Sequence, residues 1–203
     1  MIALGALAEF RDPETGFHLQ RTQHYVRILA GALTQSPRYQ GRLTESWVER
    51  LVRAAPLHDI GKVSITDEVL QKPGKLTDEE FETMKGHVLA GSEVVQQMMA
   101  RLDEVPQFFD LVHDVVRYHH ERWDGKGYPY GVAGEEIPLS GRIMAVADVY
   151  DALITARVYK PAFSVEKAEA IIVEGRGIQF DPDVVDAFVE QQAAFRAVVE
   201  KSH

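Results

Sequence analysis

Apolar residues in this 203-residue chain recur every three or four positions over long stretches and rarely at every second position. That period constrains the fold more than any other feature, because it lines one face of a helix, whereas alternation lines one face of a strand. Between His18 and Leu33, one such face holds Tyr25, Ile28, Leu29, Ala32 and Leu33. Ser46 and Glu49 have capping-box spacing ahead of "WVERLVRAAPLHDIG", and Pro56 is expected to kink or end that helix just before His58. Thr77 and Glu80 open another helix, whose Phe81, Met84, Val88, Val94, Val95 and Met98 line one side. Helices are also expected from about Pro106 to His120, at "SGRIMAVADVYDALITA", and from Ser164 to the Gly175–Gly177 stop. The last, "DVVDAFVEQQAAFRAVVE", is opened by Asp181 as cap with Pro182 in its first turn. The expectation is one all-α domain over residues 1–203, a bundle of about seven or eight helices without repeat or internal linker.

Composition narrows the function. Hydrophobic residues make up 45% of the chain, enough for a packed core, yet no apolar run approaches the roughly 20 residues that cross a bilayer. With no cysteine, disulfides and thiolate metal sites are excluded. The opening "MIALGALAEFRDPETG" lacks a basic stretch and a cleavage site, so a cytoplasmic location is expected. Its apolar residues look like the end of a helix begun upstream, as in a chain excised from a longer protein. A net charge of −9 argues against binding to long nucleic acid, which needs a basic surface. A small phosphorylated ligand remains open, since bound metal ions can meet its charge.

Residues 121–139 hold four glycines and two prolines and are expected to form a long loop. It follows two adjacent histidines in "HHERWDGKGYP". Neighbours on a helix point about 100° apart, so His119 and His120 are not expected to share one small metal site. They suit two neighbouring ions, or two sides of a wide cleft. His58 and Asp59 follow Pro56 at a helix end and offer the nitrogen and oxygen donors that suit Zn, Mn, Fe or Ni. A His-Asp pair alone is more often a surface pair. Here, however, five of the eight histidines (His18, His58, His87, His119, His120) fall near helix ends or on apolar faces. Asp148 lies within "RIMAVADVYDAL", where a buried charge needs a partner or a metal. Glu14, four residues before His18, shares its face if that helix begins so early. His24, His113 and His203 read as surface or helix-face residues. Asp114 and Asp151 read as surface charges or hydrogen-bond partners rather than ligands, and Trp123 as an anchor for the loop.

The HD of "LHDIGK", the "HH" and "GYP" of "HHERWDGKGYP", and "ADVYDALITARVYKP" resemble, in order and interval, the motifs of the HD-GYP family. These are cyclic di-GMP phosphodiesterases within the HD metal-dependent phosphohydrolase superfamily, and the likeness runs from about Asp12 to Phe188. The resemblance implies a helical HD bundle with a long GYP loop, following a receiver or sensory domain in a bacterial signalling protein. It implies hydrolysis of cyclic di-GMP to pGpG and on to GMP with two or three divalent ions, Fe or Mn first, Ni or Zn as alternatives. His18, His58, Asp59, His87, His119, His120 and Asp148 match the family's metal ligands, with Asp59 as the carboxylate between ions. Glu14 matches a further ligand of members able to hold a third ion. Lys62 matches a lysine that contacts substrate phosphate, Arg157 and Lys160 a basic pair that holds phosphate, and Tyr128 a residue lining the guanine pocket. Such a site makes hydroxide from metal-bound water near neutral pH for attack on phosphorus, while Lys62, Arg157 and Lys160 offset the developing charge. Three departures from the family pattern, Ser64-Ile65-Thr66, Gly86 and Val158, remove no ligand and lead us to expect altered substrate contacts. Two alternatives stand beside this reading. One is a weakly active or inactive module that binds a cyclic dinucleotide or docks on GGDEF domains; the other is an HD phosphohydrolase for a different cyclic dinucleotide.

Overall fold

The computed structural model describes residues 17–102, 107–156 and 161–201, which form nine α-helices and three short 3₁₀ helices. The helical period buries the faces it marks. In α1 (His18–Gln35), Tyr25, Val26, Leu29, Ala30 and Leu33 are buried, while His24 and Arg27 are exposed. α2 (Glu45–Ala54) runs into a 3₁₀ helix, Ala55–Leu57, with Pro56 in its first turn. Proline sacrifices no hydrogen bond there but cannot continue an α-helix, so the chain turns as expected just before His58. A second 3₁₀ helix, Ile60–Ser64, and the one-turn α3 (Asp67–Leu70) follow.

Thr77 and Glu80 cap α4 (Asp78–Met99) reciprocally: the Glu80 amide donates to Thr77 Oγ1 at 3.3 Å and the Thr77 amide to Glu80 Oε2 at 2.7 Å. α5 (Phe108–Tyr118) precedes the long loop, which holds only the 3₁₀ helix Gly134–Glu136. α6 (Leu139–Ile154), α7 (Val165–Glu174, capped by Ser164), α8 (Pro182–Glu190, capped by Asp181) and α9 (Gln192–Lys201) complete the bundle. α1 packs on α2, α6, α8 and α9, and α5 packs between α4 and α6. Among the described residues no helix is long and apolar enough to cross a membrane.

Three expectations need correction. α2 is capped by Thr44, whose side chain accepts from the Trp47 amide; Ser46 lies inside the helix and accepts from Arg50 instead. The expected last helix is two, broken at Gln191. The break folds Phe195 into the core, where its ring stacks on Tyr25 at 4.6 Å and meets Tyr150 edge-on at 5.1 Å. Phe81, expected on the buried side of α4, is 44% exposed.

One contact decides where the functional residues lie. The turn Ile60–Ser64 approaches α4 so closely that a Cβ on Gly61 would stand 1.9 Å from the His87 carbonyl oxygen and 2.4 Å from the Gly91 nitrogen. A Cβ on Gly91 would in turn meet Val116 Cγ1 at 2.9 Å. Only paired glycines let these backbones touch, and the contact draws Asp59 against His87. Gly86, by contrast, has open space around its missing Cβ. Urea unfolding should therefore separate two glycine-to-alanine changes. Gly61→Ala should destabilise by about 3 kcal/mol or more, because backbone cannot yield as a side chain does. Gly86→Ala should stabilise by roughly 0.5–1 kcal/mol through helix propensity. An unchanged midpoint for Gly61→Ala would refute the close approach.

Candidate metal centre

Five segments meet at one place: the start of α1, the turn after Pro56, the middle of α4, the end of α5 and the middle of α6. They supply two groups of side chains whose donor atoms lie within 4.8 Å of one another: Asp59, His87, His119 and His120 in one, His18, His58 and Asp148 in the other. Asp59 stands between them. Its Oδ1 is 3.2 Å from His87 Nε2 and 3.5 Å from His119 Nε2, while its Oδ2 is 3.3 Å from His58 Nε2. His58 Nε2 is also 3.6 Å from Asp148 Oδ1, which His18 Nε2 approaches to 3.8 Å. The seven predicted metal ligands among the described residues thus converge. Glu14, Arg157, Lys160 and His203 lie outside the described residues.

The protonation of the rings follows from their other nitrogens. His58 Nδ1 donates to the Ala55 carbonyl at 2.9 Å, His87 Nδ1 to Met84 at 2.7 Å and His119 Nδ1 to Val115 at 2.7 Å. A carbonyl only accepts, so Nδ1 of each ring carries a proton and Nε2 is the nitrogen that faces the centre. Those three Nε2 atoms and Asp59 Oδ1 are buried without a hydrogen-bond partner. An unpaired buried polar atom costs about 1–3 kcal/mol, and four of them are gathered in this one place. A bound cation would satisfy them together. Imidazole and carboxylate donors without thiolate suit first-row divalent ions, so the residues present fit a metal.

Charge is arranged in the same sense. Burial opposes ionisation of Asp59, but Lys62, His58 and His119 outweigh it and hold its pKa well below the usual carboxylate range. Burial likewise opposes charge on Asp148, and the hydrogen bond and charge of His58 with the charge of His18 keep it ionised. Burial depresses His119, and His120 more strongly, with neighbouring imidazoles acting in the same direction. Ionised carboxylates and neutral imidazoles are the forms that bind metal. Burial also opposes charge on His58 and His18, yet nearby carboxylates prevail and raise both.

The residues around the ligands fix their aim. Asp151 is buried; it accepts from His18 Nδ1 at 2.7 Å and from Arg21 Nε at 2.6 Å and a terminal guanidinium nitrogen at 2.9 Å. It is the hydrogen-bond partner expected of it, orienting His18. Asp114 accepts from Ser140 Oγ at 2.8 Å. His113 packs against Ser92 and Arg117 and contributes to neither group.

His119 and His120 depart from expectation. They share one group, with ring centroids 4.0 Å apart. The 100° offset holds only within a regular helix, and α5 ends at Tyr118; His119 is its C-cap, with ψ −17°. His120 then stacks on Tyr128 at 4.6 Å and 24°, linking the centre to the GYP loop.

The loop is held closely. The Trp123 amide donates to Gln179 O and the Asp124 amide to Ile178 O, so Trp123 anchors the segment. Glu121, buried directly after the paired histidines, accepts from the Tyr130 and Gly131 amides at 2.7 and 3.2 Å. Gly127 passes so near that a Cβ would stand 2.5 Å from Arg122 N. Between loop and bundle lies a cavity of about 310 Å³ lined by His119, His120, Tyr128, Phe81, Lys85 and Lys126, among others. Phe81, Lys85, Lys126 and Glu121 were not legible as site residues. Glu121 alone carried a signal, as an acid flanked by ligand-rich and glycine-rich sequence.

The family model for the HD domain matches residues 12–184. A cyclic di-GMP phosphodiesterase of Vibrio cholerae serotype O1 is 54% identical over 198 residues, 98% of this chain and 40% of that protein. The cyclic di-GMP phosphodiesterase response regulator RpfG of Xanthomonas campestris is 42% identical over 195 residues, 96% of this chain and 48% of the relative. The chain thus spans less than half the length of these two relatives. Among solved structures, the cyclic GMP-AMP specific phosphodiesterase V-cGAP3 of V. cholerae shares the fold, with a TM-score of 0.65 at 20% identity, over 99% of this chain and 50% of that one. With this match over most of its length, and with the His58-Asp59 and Gly127-Tyr128-Pro129 motifs in place, the chain belongs to the HD domain family and takes its HD-GYP form.

Proposed function

We propose that this chain is the hydrolytic domain of a metal-dependent phosphodiesterase that opens cyclic di-GMP to pGpG and carries it on to GMP. One observation carries the reading: Asp59 touches two ligand groups whose buried acceptors lack partners, beside a cavity walled by the GYP loop. The named activities of the relatives support the substrate.

Asp59, His87, His119 and His120 would hold one ion, and His18, His58 and Asp148 a second. Glu14 would contribute to a third, with Fe or Mn as first candidates and Ni or Zn as alternatives. Divalent ions there supply positive charge to phosphate oxygens and lower the pKa of water. Lys62 Nζ, 2.8 Å from Asp59 Oδ2, stands at the edge of the centre, where it can meet an unesterified phosphate oxygen. Arg157 and Lys160 would hold phosphate and add countercharge. These cations matter because the surroundings are buried and poorly screened, where fixed charge stabilises a transition state more than it would in water. Tyr128 offers its ring to a base. The domain spans residues 1–203 of a longer cytoplasmic signalling protein in which a receiver or sensory domain precedes it and GGDEF domains are candidate partners. A pure cyclic-dinucleotide receptor has no use for two convergent ligand groups, which weighs against the binding-module alternative.

Protein purified without oxygen, loaded with Fe(II) or Mn(II) and given cyclic di-GMP should yield GMP by way of pGpG on chromatography. Measurable binding without turnover under either metal would replace the enzyme reading with the receptor one. Asp59→Ala should lower ring opening by on the order of 10²–10³ or more.

Metal counting separates the two groups. Asp148→Ala should lose one ion and keep the one held by His87, His119 and His120, whereas loss of both would show a single indivisible site. Glu14→Ala should slow pGpG hydrolysis on the order of tenfold, about 1.4 kcal/mol of barrier, and largely spare ring opening. Equal loss of both steps would remove Glu14 from the second step.

A further inference from the structure

We infer that Lys85 and Lys126, which line the cavity from α4 and from the GYP loop, form a cationic subsite for the phosphate of a cyclic dinucleotide that is not under attack. The inference rests on the hydrolase reading above and adds a contact that lies away from the ions. A cyclic dinucleotide is a ring closed by two phosphodiesters, each with one negative charge. When one of them faces the metal centre, the other is carried into the space beside it. The cavity of about 310 Å³ shares His119 and His120 with that centre, so it is the space into which the rest of such a ring extends. A charge taken out of water there is costly unless it meets a partner.

The cavity wall is charged against the trend of the chain. Net charge over all residues is −9, yet Lys85, Arg122 and Lys126 line the cavity and Glu121 is its one acidic lining residue. Two of these four charges are already answered. Glu121 Oε1 accepts from the Tyr130 and Gly131 amides, and Arg122 donates to Asp124 from Nε at 3.1 Å and a terminal nitrogen at 2.9 Å. The two lysines are not held in this way. The Lys126 side chain is exposed and makes no hydrogen bond or ion pair among the described residues; its backbone amide donates to Asp124 instead. Lys85 pairs at 2.6 Å with Glu82, a carboxylate 69% exposed, and such a surface pair holds a lysine weakly. Its ammonium stands 5.0 Å from the Phe81 ring centroid and 5.5 Å from that of Tyr128, which keeps it at the cavity wall. A cleft lined by one sign of charge concentrates the field, and an ammonium takes phosphate as a point charge without demanding a fixed geometry. Lys62 serves the other phosphate, since its Nζ stands 2.8 Å from Asp59 Oδ2 within the metal centre.

The deciding readout is the ratio of kcat/KM for cyclic di-GMP to that for bis(p-nitrophenyl) phosphate, a diester with a single phosphate. It is measured on metal-loaded wild type and on the Lys126→Met, Lys85→Met, doubly substituted and Lys126→Arg variants. Each methionine should lower the ratio about threefold and the pair about tenfold, mainly through KM for the dinucleotide. Lys126→Arg should keep it near the wild-type value. Added salt should raise KM for cyclic di-GMP more in the wild type than in the double variant, because exposed charges are screened. Damage to the fold or to the metal centre would lower both substrates together and leave the ratio where it was, so a ratio unchanged in the double variant overturns the assignment. So does a changed preference for cyclic di-GMP over cyclic di-AMP in that variant, since those ligands carry the same phosphates and differ only in base. If the wild type hydrolyses neither diester, the hydrolase reading falls instead. The ratio of equilibrium affinities for cyclic di-GMP and cyclic GMP, which has one phosphate, then decides the subsite by the same criterion.

Discussion

A single buried carboxylate organises this molecule. Burial opposes charge on Asp59, yet Lys62 and the surrounding imidazoles outweigh it and hold its pKa well below the usual carboxylate range. Each of its oxygens faces a different ligand group, so the two groups are neighbours only because this side chain separates them. Its position is set by backbone rather than by its own contacts. Pro56 ends the α-helical run before it, and Gly61 lets the following turn lie directly on α4. The chain therefore delivers a charge into the core by two local restrictions, one that stops a helix and one that removes a Cβ.

The GYP loop depends on the same centre from its other side. Glu121 ties the Tyr130 and Gly131 amides to the residue next to His120, so the loop and the ligand move as one piece. Gly127 allows the close backbone approach to Glu121 and Arg122 beside which Tyr128 lies over His120. The ring of Tyr128 thus closes one wall of the cavity. Binding surface and metal ligands share a short stretch of chain, which couples the position of a base to that of the phosphate beside it.

How much of this was readable from the residues depended on the range of the forces involved. Helix faces were readable because burial repeats with the helical period: Tyr25, Leu29 and Leu33 are buried where the pattern put them. Local caps were mostly readable too, as Thr77, Ser164 and Asp181 show. Thr44 was missed because two hydroxyl residues compete within three positions and only tertiary packing settles which lies outside the helix. The break at Gln191 carries no glycine or proline; it follows from the gain in placing Phe195 against Tyr25, a contact across most of the chain. The candidate ligands were legible as residue types, and their roles came through family resemblance. The convergence of His119 with His120 was not, since it depends on where α5 stops.

The orientation of His18 shows how the bundle carries precision to its least buried ligands. Asp151 receives His18 and Arg21 together, and Arg21 also donates to Thr155 Oγ1 at 2.9 Å. This chain of hydrogen bonds joins one face of α1 to the last turn of α6, which also carries Asp148. A shift of α1 relative to α6 would pull His18 from Asp148 and break a buried bidentate ion pair at the same time. Breaking such a pair strands a charge, at a cost of about 3–5 kcal/mol, so the pair resists the motion even though its formation stabilises the fold little. The same bonds restrain Thr155, which directly follows α6. The aim of His18 and the spacing of α1 from α6 are thereby fixed by one arginine and one aspartate, neither of which needs to touch the substrate.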